Sequence, residues 1–222
     1  MATTTIPTDV RITGNITATS ISSDTASITN GMCSPSMELS RTKLGQDTNQ
    51  PFEIPLTDLR VHDAVQTVLP GTPATDDLGL DSGTFGTQAI HVTAGDLKAA
   101  GATTRYARCT VQLPTEYDAA STVTLRVTAK METTVSDTTC TIDAEAYEVA
   151  GDLTVGADLV TTAATSMNSL TSADYNFALT ETGLLAGDRL DVRFAIACND
   201  AATGTAVEPV ISSIKLICDI KG

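Results

Sequence analysis

Strict alternation of apolar and polar residues through the second half of the chain is the feature that most constrains its fold. Successive side chains of a β-strand point to opposite faces, so a period of two predicts strands with one buried face and one exposed face. The alternation recurs in the segments "RYARCTVQLP", "STVTLRVTAKMETT", "TTCTIDAEAYEV", "RLDVRFAIACND" and "ISSIKLICDIKG". "ADYNFALT" and, more weakly, "ADLVTTAATSM" predict two further strands.

Turn-forming segments separate these strands and complete the prediction of fold class. "LPTEYDAAS", "EVAGDLTVGAD", "LLAGDR" and "NDAATGTAVEP" contain the Gly, Pro, Asn and Asp residues that favour reversals of the backbone. Many strands joined in this way pack as two sheets. We therefore predict an all-β protein with an antiparallel, jelly-roll-like β-sandwich over residues 85–222 and an extended N-terminal arm or stem.

Four of the five cysteines lie at inward positions of the predicted strands: Cys109, Cys140, Cys198 and Cys218. A cysteine at such a position acts as a small hydrophobic residue. We expect free, buried thiols there rather than disulfides or metal ligands. The odd number of cysteines and the lack of a CxxC pair also argue against a zinc site and a redox pair.

Residues 1–50 differ in composition from the strand region. They are rich in Ser and Thr, and their isolated aliphatic residues are too few to bury a core of their own. One interpretation is an arm or stem that lies against copies of itself or against another protein, and the other is a disordered tail. On the first interpretation the candidate interface residues are Val10, Ile12, Ile16, Ile21 and Ile28.

Residues 51–84 are predicted to link the arm to the sandwich. Within them, "LTDLRVHDAVQTVL" (residues 56–69) is the best helix candidate, with Pro70 ending the helix. A Gly- and Asp-rich loop follows, and one further helical turn is predicted over residues 95–101.

Asp76, Asp77 and Asp81 in this loop leave two interpretations open. Carboxylate oxygens are preferred ligands of Ca²⁺, which stiffens loops in many extracellular β-proteins. Their spacing, however, does not match the EF-hand pattern. Aspartates in turns commonly accept hydrogen bonds from nearby backbone N–H groups, and the sequence favours this second interpretation.

Charge and segment composition exclude several partners. The formal net charge of −14 opposes contact with nucleic-acid phosphates, so we predict no nucleic-acid partner. No segment is long and apolar enough to cross a bilayer, and the first residues do not resemble a secretory signal. We therefore expect no membrane partner and synthesis in the cytoplasm.

No motif specifies a reaction. The two histidines, His62 and His91, lie in no recognisable catalytic context, and the chain has no GxSxG nucleophile motif. We predict no enzymatic activity, no catalytic residue and no cofactor. The one modest basic cluster is interpreted as surface charge and consists of Lys98, Arg105, Tyr106 and Arg108.

Five segments carry a resemblance to a known group of proteins. They are "IPLTDLRVHDAVQTVLPGTPATDDLGL", "GDLKAAGATTRYARCTVQLPTEYDA", "TVTLRVTAKMETTVSDTTCTIDAEAYE", "LLAGDRLDVRFAIACNDAATGTAV" and "CDIKG". Together they resemble tailed-bacteriophage virion proteins of the capsid decoration (cement) or head fibre kind. The N-terminal "ITGNITATSISSDTASITNG" is similar in style to the stems of trimeric phage fibres.

The resemblance implies a location and partners. It implies a homotrimer on the surface of the virion capsid that binds the major capsid protein and stabilises the particle. It also implies assembly in the host cytoplasm, which agrees with reduced, buried cysteines.

A receptor-binding or carbohydrate-binding module of a phage tail fibre or cell surface is the alternative function. A jelly roll suits a shallow sugar site, and the partner would then be a host-surface glycan. Such sites usually use aromatic platforms, whereas the chain has no Trp, four Tyr and four Phe. Composition therefore favours the structural role.

Overall fold

Two antiparallel β-sheets pack around one core, which confirms the predicted all-β sandwich. The computed structural model describes residues 49–119, 121–200 and 205–220, with the backbone alone at residues 99 and 100. The strands are β1 (Asn49–Glu53), β2 (Gly79–Asp81), β3 (His91–Thr93), β4 (Ala99–Gln112), β5 (Val123–Met131), β6 (Thr139–Val149), β7 (Val155–Asp158), β8 (Thr165–Ser166), β9 (Ala173–Leu179), β10 (Arg189–Asp200) and β11 (Pro209–Asp219). The helical element of this described part is a short 3₁₀ turn, Leu56–Asp58. No helix in it has the length and hydrophobicity needed to span a bilayer.

The order of the strands is that of a jelly roll. The back sheet has the order β2-β3-β11-β5-β9, with β1 also paired to β11. The front sheet has the order β4-β10-β6-β7, with β8 also paired to β6. From β3 to β11 the chain alternates between the sheets, except that β6, β7 and β8 all belong to the front sheet. Eight strands, β3-β11-β5-β9 against β4-β10-β6-β7, thus form the paired Greek keys of this fold.

The inward residues of both sheets fill the core as the alternation predicts. Every second residue of β5 is buried, and β10 shows the same pattern. Phe177 of β9 and Phe194 of β10 are among the largest side chains that are fully buried. Burial of such a side chain stabilises a fold by roughly 1.5–3 kcal/mol. The period-two pattern therefore positions the core and, by the same alternation, the two outer faces.

The cysteine prediction is partly wrong. All four strand cysteines are buried, as predicted. Cys140 of β6 and Cys198 of β10, however, are directly opposed in the strand register and form a disulfide. Cys109 and Cys218 are free thiols. Burial, with a smaller effect of nearby carboxylates, raises the pKa of Cys109 to about 12 and that of Cys218 to about 11.

Residues 56–78, here called the edge segment, cover the outer edge of β4. Arg60 and Arg108 exchange two backbone hydrogen bonds of 2.8 and 3.0 Å. Further along β4, the backbone of Tyr106 accepts from the N–H of Leu78 and donates to the carbonyl of Asp76. An uncovered edge strand presents unpaired N–H and C=O groups to other chains. The edge segment supplies partners for those groups at Tyr106 and Arg108.

The helix predicted over residues 56–69 is therefore wrong. Within it, Arg60 bonds to Arg108 of β4, and the backbone N–H groups of Val61, Ala64 and Thr67 bond to carbonyls of nearby turns, so a continuous helix is not formed. Leu59 is buried, but Val65 and Val68 of the predicted apolar stripe are 46% and 62% exposed. The helical turn predicted over residues 95–101 is also wrong, because β4 begins at Ala99.

The sandwich begins earlier than predicted. Residues 51–84 do not form a separate linker, because β1 and β2 belong to the back sheet and Ile54, Leu69 and Leu78 pack in the core. The described residues belong to one compact unit. The predicted arm, residues 1–50, lies outside the described residues except for its last two positions, which begin β1.

Loss of the Cys140–Cys198 disulfide is expected to lower the free energy of unfolding by about 2–4 kcal/mol, because the cross-link restricts the unfolded chain. The two residues are separated by 58 positions in sequence. Chemical denaturation with and without reductant measures the difference. The double variant Cys140→Ala/Cys198→Ala is the matched control, since its stability should not respond to reductant. An unchanged midpoint for the wild-type chain in reductant would contradict the prediction.

Candidate functional site

Outward side chains of the front sheet form a regular array on β4, β10 and β6. The strand register arranges them in rows, each with one residue from every strand. The rows are Thr110–Asp191–Tyr147, Arg108–Arg193–Glu145, Tyr106–Ala195–Asp143 and Thr104–Ala197–Thr141. These residues alternate with core residues along each strand, so the alternation that builds the core also fixes this face.

Two alanines make the central strand low in one half of this array, whereas Asp191 and Arg193 occupy it in the other half. We call the whole array the trough. Ala195 and Ala197 lie on the central strand β10, with larger residues of β4 and β6 on both sides. Because β4 and β6 are two strand spacings apart, the trough is about 10 Å wide, and the span from Thr104 to Thr110 makes it about 20 Å long. Depressions of about 290 Å³ and about 180 Å³ lie along it and share a boundary formed by Arg193 and a neighbouring acid.

A two-point ion pair fixes one end of the trough. The Arg108 guanidinium donates through Nε to Oδ1 of Asp191 at 2.6 Å and through Nη2 to Oδ2. Its Nη1 donates to the backbone carbonyl of His62 at 3.3 Å. The hydrogen bond to Asp191 raises the pKa of the Arg108 guanidinium, although burial acts in the opposite direction. Paired planes of this kind hold both side chains in one orientation.

Arg193 lies at the centre and connects the two depressions. It forms an ion pair with Glu145 on the adjacent strand β6. Its guanidinium carbon lies 4.8 Å from the centroid of the Tyr106 ring, which is a cation–π contact. The ring of His62, from the edge segment, packs against Tyr106 with a centroid separation of 4.8 Å. His62 in turn lies 3.2 Å from Oδ1 of Asp77. These contacts pre-order the side chains, which reduces the entropy lost when a ligand binds.

Strand β6 forms a wall in which carboxyl and phenol groups are partly withdrawn from water. Burial raises the pKa of the Asp143 carboxyl, and the charges of Glu145 and Asp158 act in the same direction. Burial likewise raises the pKa of the Tyr147 phenol, followed by the same two charges. The phenol is therefore a protonated donor at neutral pH, and the Asp143 carboxylate is an acceptor whose charge is incompletely compensated.

The composition of the trough is that of a binding site. Charged and polar side chains form most of its lining, and the alanines provide an apolar floor in the smaller depression. Three carboxylates, Asp143, Glu145 and Asp191, stand beside two guanidiniums, and each guanidinium is already paired with an acid. The site therefore offers hydrogen bonds in both directions without an excess of positive charge.

The predicted calcium ligands do not come together. Oδ1 of Asp81 accepts a hydrogen bond from the N–H of Gly83 at 2.7 Å, as the turn interpretation predicts. Asp76 and Asp77 instead lie beside His62, with Oδ2 of Asp76 3.6 Å from Nε2. Within the described ranges, the side chains close enough to share an ion are His62, Asp63 and Asp77. That group alone, with an exposed Asp63, does not define a metal site.

The other predicted sites are divided or lie elsewhere. The basic cluster is split, because Tyr106 and Arg108 point into the trough while Arg105 donates to the carbonyl of Ala94. Arg108 is also paired with an acid rather than being unpaired surface charge. The candidate interface residues Val10, Ile12, Ile16, Ile21 and Ile28 lie outside the described residues.

Sequence reasoning does not find the trough. Alternation places Arg108, Tyr147 and Arg193 on outward faces, but it does not tell which outward residues are neighbours. That depends on the register between β4, β6 and β10, which are far apart in sequence. The available signal was the pair of consecutive outward alanines, Ala195 and Ala197, in a strand whose other outward residues are charged or polar.

Comparison with known proteins gives structural likeness alone. No protein-family model and no curated protein matches the sequence. The chain is similar to the CBM22-1 xylan-binding domain from Paenibacillus barcinonensis Xyn10C, with a TM-score of 0.37 and 10% identity over 66% of this chain and 82% of that chain. The xylan-binding module CBM15 has a TM-score of 0.41 and 14% identity over 79% of this chain and 100% of that chain.

A viral structure is similar to this chain with a comparable TM-score. The structure of infectious bursal disease virus, Gx strain, has a TM-score of 0.40 and 12% identity over 79% of this chain and 33% of that chain. Likenesses at this level carry no argument about ligand, partner or origin, and none is transferred to this chain.

The variant Asp143→Asn is expected to raise the free energy of unfolding at pH 7 by up to about 1 kcal/mol, since the site is partly exposed. The pKa of the carboxyl is raised from its ordinary value of 3.8 in the folded state. The stability that the Asp143 carboxyl contributes to the wild-type chain is therefore fully present below that value. It is lost as the pH rises through the folded pKa, because the folded chain then carries a disfavoured charge that Asn does not carry. Urea unfolding at pH 7 and pH 3 measures the difference, which should be absent at pH 3.

The matched control is Asp174→Asn, which removes an exposed carboxylate that accepts a hydrogen bond from Thr128 on the back sheet. That variant should show no gain at pH 7. If Asp143→Asn showed no gain in stability at pH 7 either, the trough would not disfavour the charge of Asp143.

Proposed function

We propose that the chain is a structural and binding protein of a tailed-bacteriophage particle, of the capsid decoration (cement) or head fibre kind. It acts as a homotrimer on the capsid surface, in contact with the major capsid protein, and it catalyses no reaction. Residues 1–48 attach it, and the sandwich displays the trough outward as a recognition surface.

The agreement between the resemblance and the organisation of the chain carries this proposal. The resembling segments cover about residues 54–222. Within the described residues, one jelly roll extends from Asn49 to Asp219 over nearly the same range. The Ser- and Thr-rich residues 1–48 precede β1 in sequence and lie outside the described residues, and we assign attachment to them.

Attachment of this kind depends on burial between chains. A segment that becomes ordered on assembly loses conformational entropy, and the apolar surface that it buries must offset that loss. Three copies bring together aliphatic residues that one copy cannot bury alone. The net charge of −14 per chain meanwhile keeps copies apart where no specific contact is made.

Deletion of residues 1–48 is expected to abolish attachment to phage particles while leaving a folded sandwich, because β1 begins at Asn49. Co-sedimentation of the full and shortened chains with particles that lack the protein measures attachment, and circular dichroism measures folding. Full attachment by the shortened chain would overturn the role of residues 1–48.

Two triple variants within residues 1–48 test whether apolar contacts, rather than the mere presence of the segment, are needed for attachment. Ile12→Ser/Ile16→Ser/Ile21→Ser removes three aliphatic side chains and should weaken attachment. Thr13→Ser/Thr17→Ser/Thr19→Ser changes the same region without loss of aliphatic surface and should attach normally. Equal attachment by both triple variants would contradict an interface built on those isoleucines.

The full chain is expected to have a solution mass about three times the 23.0 kDa of one copy. Light scattering coupled to size exclusion measures this directly. A monomeric mass over the whole concentration range that can be tested would contradict the homotrimer.

A further inference from the structure

The shape of the trough selects an extended ligand. It is open at the surface, runs for about 20 Å along β10 and is about 10 Å wide. Its two depressions are joined through the Arg193–Glu145 pair. A single compact molecule would fill one depression, whereas a linear chain laid along β10 from Ala197 past Arg193 to Asp191 contacts both.

The charge of the trough selects against anions. Three carboxylates line it, and its two guanidiniums already bind acids within the protein. An anionic ligand would have to displace Asp191 or Glu145, and it would also approach Asp143, whose charge is already disfavoured. Phosphate-rich, sulfated or uronic-acid chains are therefore poor ligands.

An extended peptide also fits poorly. Peptides that add to a sheet pair their backbone with a free strand edge. Here the backbones of β4, β10 and β6 are paired with one another, and beside the trough the outer edge of β4 is paired with the edge segment at Tyr106 and Arg108. The face that remains offers side chains to a ligand and no backbone hydrogen bonds.

The side chains of the trough match the chemistry of sugar hydroxyls. A hydroxyl both donates and accepts, so it can bind a carboxylate and a guanidinium together. Asp143, Glu145 and Asp191 are acceptors, and Arg108 and Arg193 are donors held at fixed positions by the ion pairs. The methyl groups of Ala195 and Ala197 provide an apolar floor for the C–H face of a sugar ring. Tyr147 adds a phenol to the wall.

We infer that the trough binds a neutral polysaccharide chain, laid along β10 over the alanine floor. This inference rests on the recognition role proposed for the trough and not on attachment to a particle. Binding of the polysaccharide needs no aromatic platform of the size that Trp provides, because hydrogen bonds from pre-ordered charged groups supply most of the contact.

The test uses the full chain on a microarray of bacterial surface polysaccharides that contains neutral chains and, as a separate arm, sulfated and uronic-acid chains. Neutral chains that bind are then titrated by calorimetry against variants that fill the floor, Ala195→Gln and Ala197→Gln. Ala178→Gln, an exposed alanine on β9 of the back sheet, is the matched control. Loss of affinity by on the order of tenfold or more is expected for the two trough variants, and none for the control.

A second variant tests the hydrogen-bonding wall. Asp143→Asn keeps the size of the side chain and removes its charge, and we expect it to weaken binding although it stabilises the fold. Asp174→Asn on the back sheet should leave binding unchanged. Opposite signs for affinity and stability in Asp143→Asn are not expected from a residue that merely supports the structure.

Several outcomes would overturn the inference. They are retention of no neutral chain on the array, preference for the anionic arm, or equal affinity of Ala195→Gln, Ala197→Gln and Ala178→Gln for the neutral chain. Particle attachment is measured separately. A chain that binds neutral polysaccharide but never co-sediments with particles would support this inference and overturn the virion role.

Discussion

The register of β10 between β4 and β6 is the constraint on which the rest of the structure depends. It directs Val192, Phe194 and Ile196 into the core, and on the opposite face it lines up the rows of the trough. Because the side-chain period of a strand is two, a slip of one residue would exchange the buried and exposed faces of β10. The Cys140–Cys198 disulfide joins the directly opposed residues of β6 and β10 and holds that register.

The edge segment shows how protection of the sheet and construction of the site are combined. Its backbone closes the outer edge of β4, and its leucines join the core. The same stretch positions His62 against Tyr106 and provides the carbonyl that receives Arg108. Groups beside an otherwise exposed strand edge thus become one side of the trough.

How far the sequence predicts this molecule depends on whether a feature is local. The inward residues of β5 and β10 follow from alternation, which is a property of each strand alone, and the sandwich followed from their number. The helix over residues 56–69 is wrong because tertiary pairing with β4 outweighs local propensity. The disulfide and the trough are missed for one shared reason. Both depend on which residue of β6 lies opposite which residue of β10, and alternation does not contain that information.

The alanine floor has a consequence for how such a protein can change. Ala195 and Ala197 point outward from a central strand whose backbone is fully paired with β4 and β6 and whose inward residues carry the core. A substitution at either position alters the depth of the trough without touching the packing beneath it. Under the proposed polysaccharide role, ligand preference and fold stability are thereby placed on opposite faces of one strand. Single replacements at these two positions would then change what the trough recognises while the sandwich stays the same.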